Sequence, residues 1–376
     1  MHRVFGLFLC VLFSMNVHAQ PSTHYYLLVG SYTEARPDQG IFVYDFDTGT
    51  GDLRALSVAG NIENPSYLAI GSHGSRVYAV SEKDHSTGRI SAYRFDSGRL
   101  TLLNEGPSGG RGPCYISVDD AATHVFAANY GSGSLGVVAL KRDGSLDTAV
   151  TQSIQHEGGS VNPESQTRPH AHSVLPSPDN RYVLSANLGN DRVYIYRFDK
   201  GSNLALRAAD SPYVTVTPGS GPRHICFHPS GKYVYVVNEM AGSIDAFDYK
   251  DGVLHHKQSI TMLPEGFNGI VEAADIHISP DGRFLYASNR EVRNEIVIYS
   301  ISPVGALRFA GRQPVLGEAP RGFTIDPSGR FLLSANLKTN EIVVFRRDVN
   351  TGLLNFTGKK IPVKGPACLK FGSLVH

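Results

Sequence analysis

The sequence has no tryptophan and, in 376 residues, only 4 cysteines and 4 methionines. Without Trp, and without a GH…WD blade ending, an interaction propeller of the WD type is excluded. No GxSxG, HExxH or phosphate-loop sequence is present, which removes nucleophile-elbow esterases, zincins and P-loop enzymes. Charge of neither sign dominates: 35 Lys and Arg face 34 Asp and Glu, with a formal charge of +1 and no block of like charge. A nucleic-acid partner is therefore not expected. Long helical apolar periodicity is missing too, which argues against an α/β-hydrolase or another βαβ fold. The longest apolar run, Val4 to Phe13, is too short to span a bilayer, so no membrane insertion is expected. It follows basic His2 and Arg3, and precedes small residues Val17 and Ala19 at minus three and minus one of a cut before Gln20. Residues 1–19 thus read as a signal peptide, sending the mature chain to the periplasm or the medium, with an uncleaved internal helix as the alternative. Cys10 lies in this segment after LFL, without the small residue expected before a lipid-modified cysteine. Cys114, Cys226 and Cys368 lack metal-ligand spacing and sit among apolar neighbours, as small buried hydrophobes do.

What the chain has is punctuation and repetition. Its 39 Gly and 21 Pro are spread along the whole length, as many regular turns require. Six segments share a turn start, an alternating strand, a Pro/Ser/Asp/Gly turn, and a second strand rich in Tyr, Val and Ala that usually ends in Asn. They begin at Asn64, Gly112, His170, Gly221, Glu272 and Ala319, and each is followed by a third strand such as Val193–Phe198 and a more variable stretch. A seventh copy is split: GPACLKF from Gly365 supplies a first strand, while Tyr25–Val29 and Ile41–Phe46 supply a second and third. Joining the two ends closes a ring and leaves no unpaired sheet edge at either terminus. The expected fold is all-β: a seven-bladed β-propeller of four-stranded antiparallel blades over residues 24–376, a monomer, with a two-sheet sandwich as the alternative.

The repeat also locates candidate chemistry. The residue after the turn proline, or its equivalent, reads Ser66, Cys114, His172, Arg223, Ala274, Arg321 and Ala367 around the ring. The residue after the repeated Asn reads Glu82, Tyr130, Leu188, Glu239, Arg290 and Leu337, with Ser31 assigned to the split copy. Both positions lie at the open end of a two-stranded hairpin, so these side chains should gather near the axis on one face, with the PSPDN, HPSGK, SPDGR and DPSGR turns on the other. The repeated Asn129, Asn187, Asn238, Asn289 and Asn336 suit a structural amide that bonds nearby backbone. A scaffold needs the same residue in every blade, whereas one substrate touches each blade differently. Residues that break the repeat are therefore the candidates: His172, Arg223, Arg321, Glu82, Glu239 and Arg290, with His170 beside His172 on the same strand face. Converging arginines suit an anionic ligand, and a Glu and a His offer general acid–base chemistry. Blade-end salt bridges are the plainer explanation. His170 and His172 lack a third ligand of defined spacing, so neither a metal nor another cofactor is expected. His224 is out of register with Arg223 and is assigned a hydrogen-bonded structural role in sheet-to-sheet packing.

VGSYTE at Val29–Glu34, RPHAH at Arg168–His172, GPRHICFHPSGKYVYVVNE at Gly221–Glu239, SPDGRFLYASNR at Ser279–Arg290 and PSGRFLLSANLKTNEIVVF at Pro327–Phe345 resemble one family. It is the lactonase family of seven-bladed propellers, of the bacterial 6-phosphogluconolactonase and carboxy-cis,cis-muconate cyclase type, and the likeness spans residues 24–371. By motif, the resemblance places the active site on His172, Arg223, Glu239 and Arg290, with no metal. It implies hydrolysis of an anionic sugar lactone, 6-phospho-D-glucono-1,5-lactone to 6-phosphogluconate. The export signal departs from a cytoplasmic role in sugar phosphate metabolism. It leaves open a different carboxylated or unphosphorylated lactone, or a non-catalytic binding propeller of the cell envelope.

Overall fold

A computed structural model describes residues 23–374, apart from 35, 37, 72 and 84–86. The signal-peptide reading of residues 1–19 lies outside the described residues. The strands form seven four-stranded antiparallel sheets, six of them running in chain order from the axis outward, so the protein is a seven-bladed β-propeller. Blades 1 to 6 have inner strands Leu68–Ile70, Pro113–Val118, Ala171–Pro176, Pro222–Phe227, Ala273–Ile278 and Pro320–Ile325. In blade 7 the inner strand is the C-terminal Pro366–Leu374, paired with His24–Ser31, which continues outward to Ile41–Asp47 and Leu53–Ala59. Gly30 lies opposite Cys368 and Val29 opposite Leu369, so the first and last strands close the ring by direct pairing.

Burial follows the layer order. Second strands such as Phe331–Asn336 and Phe284–Asn289 are buried at every position, as expected for sheets covered on both faces by neighbouring blades. Outer strands carry mostly exposed or half-buried side chains and vary in length from 4 residues at Gln152–Gln155 to 13 at Arg99–Arg111. A repeated tyrosine latches one blade to the next: the Tyr78, Tyr235 and Tyr286 hydroxyls donate to the carbonyls of Gly144, Gly305 and Gly352 at 3.0, 2.9 and 2.7 Å. Each ring is fully buried, and each polar tip is satisfied by the adjacent blade. The repeated asparagines are buried, and four of them bond nearby groups, as when the Asn187 amide oxygen accepts from His170 N at 2.8 Å. The Asn289 amide has no hydrogen-bond partner among the described residues.

One local irregularity positions the site. In blades 2, 3, 4 and 6 the pairing of the first two strands slips at a single inner-strand residue: Cys114, His172, Arg223 and Arg321. Blade 5 slips over Ala274 and Asp275, and blade 7 over Ala367. A bulge breaks the two-residue alternation and re-aims a side chain. Here it falls on the register that the repeat singles out as candidate chemistry.

Candidate active site on the propeller axis

Both candidate registers meet in an axial cavity of about 200 Å³ lined by Tyr32, Glu82, Cys114, Tyr130, His172, Glu239, Arg290 and Arg321. Glu239 follows the second strand of blade 4, and its carboxylate is shared by two arginines. Arg223 Nε lies 2.7 Å from Oε2 with its N–H poorly aligned to that oxygen, and Arg290 Nη2 lies 3.2 Å from Oε1. Burial by itself would raise the Glu239 pKa, but Arg290, Arg223 and Arg321 outweigh it and hold the group below the usual value. Glu239 is therefore an ionised carboxylate.

Arg223 is the largest fully buried side chain among the described residues, and burial brings its pKa down to about 10 against the opposing pull of Glu239. Its Nη1 donates to the Ala274 carbonyl at 2.6 Å. Arg290 also reaches Glu272, whose Oε2 is 3.5 Å from Nη2. On the opposite wall, Glu82 accepts hydrogen bonds from Ser66 and from the Tyr32 hydroxyl, the latter at 2.8 Å, with Arg321 Nη2 3.7 Å away. Arg321 lies 5.2 Å from the centre of the Tyr32 ring, and Tyr32 and Glu82 hold its pKa above the ordinary value despite burial. His172 is held well below the usual histidine range by burial first, then by Arg223, His224 and Arg321, so its imidazole is neutral. Its Nδ1 is 3.8 Å from Cys114 Sγ. The Cys114 thiol is pushed up by burial and Glu82, which keeps it protonated.

Not every sequence expectation falls on the wall. His170 stacks on the Tyr130 ring at 4.3 Å and bonds the Tyr130 carbonyl through Nδ1 at 3.0 Å, outside the cavity lining. Ser31, assigned to the site register of the split blade, is displaced by one residue. It pairs with Pro366 as Asn129 pairs with Pro113, and its hydroxyl bonds the Gly40 carbonyl, so Tyr32 takes the site position. Counting from the proline–asparagine pairing would have found Tyr32. Cys114 and Tyr130, not among the repeat-breaking candidates, complete the wall because the bulge turns the first inward and the strand end presents the second. His224 does not pack between sheets; it stands on the axis below Arg223, where Arg223 Nη1 and Asp275 Oδ1 bond it. Among the described residues, no group of three His, Cys, Asp or Glu is placed to hold a metal ion.

Residues 26–371 match the family model described as lactonase, 7-bladed beta-propeller. The chain belongs to the lactonase family. Two curated relatives, both named 6-phosphogluconolactonase, are 38% identical in Formosa agariphila and 34% identical in Bacillus subtilis. The matches cover 80% and 81% of this chain and 86% of each relative. Among solved structures, the periplasmic gluconolactonase of Pseudomonas aeruginosa aligns at a TM-score of 0.89 and 37% identity, covering 94% of this chain and all of that one. In this lactonase-family propeller, Tyr32 is shared with a second recess of about 540 Å³ whose wall includes Arg36, Lys338 and Lys364.

Proposed function

We propose that the protein hydrolyses an anionic sugar lactone, 6-phospho-D-glucono-1,5-lactone, to 6-phosphogluconate. The observation that carries this reading is Glu239 held ionised between Arg223 and Arg290, with neutral His172 on the wall of the same axial cavity of a lactonase-family propeller. A water placed between Glu239 and the substrate attacks the lactone carbonyl carbon and gives its proton to Glu239. Negative charge then builds on the carbonyl oxygen, where Arg223 and Arg290 stabilise it. Collapse of the tetrahedral intermediate breaks the bond from the carbonyl carbon to the ring oxygen. Glu239 returns the proton to that oxygen while the His172 N–H hydrogen-bonds it, and the acid product ionises. Arg321 and Glu82 border the substrate, and His170 supports Tyr130 from behind. An anionic substrate competes with Glu239 for the same guanidinium groups. Its arrival therefore relieves the depression of the Glu239 pKa and strengthens the base when it is needed.

The test is lactone opening by the purified protein at a pH where spontaneous hydrolysis is slow. Turnover of the phosphorylated lactone is expected; no opening of any lactone above the spontaneous rate would move a ligand-binding propeller ahead. A second reading, an exported enzyme acting on an unphosphorylated lactone, is favoured by the signal-like residues 1–19 and by the periplasmic relative. Preference for gluconolactone over its 6-phosphate, in a protein whose mature N-terminus is Gln20, is the result that selects it.

A further inference from the structure

We propose that Asp275 and His224 act as a positioning pair that sets the orientation of Arg223, through a hydrogen-bond string crossing from blade 5 to blade 4 beneath the axial cavity. The bulges make this possible. Neighbours along a regular strand point to opposite faces, yet Arg223 and His224 both meet groups of blade 5 at the axis because the pairing slips between Pro222 and His224. Asp275 is brought to the same level by the slip between Ala273 and Ile276.

The direction of every proton in the string follows from chemistry. Asp275 Oδ1 accepts from His224 Nδ1 at 2.8 Å and from Ile276 N at 3.0 Å. Its Oδ2 accepts from His277 Nε2 at 3.0 Å and from Phe323 N at 3.2 Å. Four donors surround one carboxylate, and with His277 and His224 they overcome burial and hold Asp275 well below the ordinary value. An ionised carboxylate only accepts, so His224 carries its proton on Nδ1. Arginine only donates, so Arg223 Nη1, 3.1 Å from His224 Nε2, requires a bare lone pair there. His224 must then be neutral, and burial followed by Arg223 takes its pKa down to about 3. The other groups facing the ring agree: Tyr67, Tyr115 and His172 lie 5.7, 5.2 and 5.3 Å away, and the charge of Lys370 also opposes a cation. Nη1 is anchored by His224 and the Ala274 carbonyl and Nε lies against Glu239, so two of the three guanidinium nitrogens are fixed. His224 is thus a positioning residue and not a catalytic one.

The effect on turnover rests on the function proposed above, whereas the tautomer does not. Long-range 1H–15N spectra of histidine-labelled protein, with the His224 signals identified by their loss in His224→Gln, are expected to show Nδ1 protonated and Nε2 bare between pH 5 and 8 (about 1.5 units either side of the usual histidine pKa). The opposite tautomer, or an imidazolium at neutral pH, overturns the pair whether or not any lactone is opened. In kinetics, His224→Leu removes the acceptor and is expected to raise KM for the anionic lactone by about ten- to a hundredfold, the usual cost of an outer hydrogen-bond partner. His224→Gln supplies an oxygen near Nε2 and is expected to restore KM to within about threefold of wild type. Equal losses in both variants with matching drops in Tm would assign His224 to packing alone, and unchanged KM in His224→Leu would also overturn the proposal.

Discussion

The two ends of the blade hairpins solve opposite problems. On the far face, four turns of nearly the same sequence adopt one geometry. The N–H groups of Asn180, Gly231, Gly282 and Gly329 reach back three residues to the carbonyls of Ser177, His228, Ser279 and Asp326, each at 2.8 Å. All four closing residues have left-handed φ of 56 to 71°, which is why Gly, or Asn in PSPDN, stands there. On the axial face, equivalent positions hold His172, Arg223, Arg321, Glu82, Glu239 and Arg290, no two blades presenting the same pair, and the ion pairs of Glu239 with Arg290 and of Glu82 with Arg321 join different blades. The lesson is that repetition marks what each blade needs for itself, and departure from it marks what the ring does jointly.

This contrast can be broken at the scaffold first. Removing residues 365–376 takes away the inner strand of blade 7 and exposes an edge on His24–Ser31. Loss of the cooperative folded state is expected, and a truncated protein with the parent's thermal midpoint would show that closure does not depend on this strand. At the axial end the effect should fall on chemistry and spare the fold. Glu239→Gln is expected to lower kcat by about a hundredfold or more with little change in Tm, the size of a lost general base. Wild-type turnover in that variant would remove Glu239 from the mechanism. Arg223→Ala should raise KM more for a phosphorylated or acidic lactone than for a neutral one, because charge pairing is the term removed. An equal rise for both would show that Arg223 does not bind the anionic group.

The far-face turns should behave in the opposite way. Asp326 is buried and accepts the Phe331 N–H at 2.6 Å and the Ser328 N–H at 3.0 Å. Asp326→Ala leaves these donors to a buried turn and is expected to cost about 1–3 kcal/mol in denaturant unfolding, with kcat unchanged. Activity that falls in step with stability would blur the division of labour. The smallest effect is an acid limb. His156, away from the axial cavity, bonds Asn187 Nδ2 through Nδ1 and the Tyr196 hydroxyl through Nε2, each at 2.8 Å, and burial followed by Arg192 lowers its pKa to about 3. The unfolded chain binds the extra proton below about 6.5, so this contribution is complete above that pH and fades as pH falls toward 3. His156→Gln should therefore make the decline of Tm with acid shallower, as calorimetry between these limits can measure.

Much of this was legible in one dimension because a propeller repeats its local rules. Alternating strands, Pro/Asp/Gly turns and a split seventh copy specify the blades, and the two registers name most of the cavity wall. Two things were hidden. Tyr32 was displaced by one residue because the split blade has Ser31 where the other copies carry Asn or, in blade 1, Ser81. His224 was misplaced because strand alternation sends it away from Arg223, and only the bulge brings both to the axis.

Taken alone, the sequence determined the seven-fold sheet, its closure by the two termini and the face on which unlike residues collect, since these depend on period, turn chemistry and hydrophobic alternation within about fifty residues. Tertiary structure decided which charges touch: that Glu239 of blade 4 is shared with Arg290 of blade 5, that Arg321 meets Glu82 across blade 7, and that Asp275 reaches back to His224. Those pairings run between blades, through bulges and ring curvature. No local pattern encodes a distance between side chains some fifty residues or more apart, because it is set by how the sheets twist and pack around the axis.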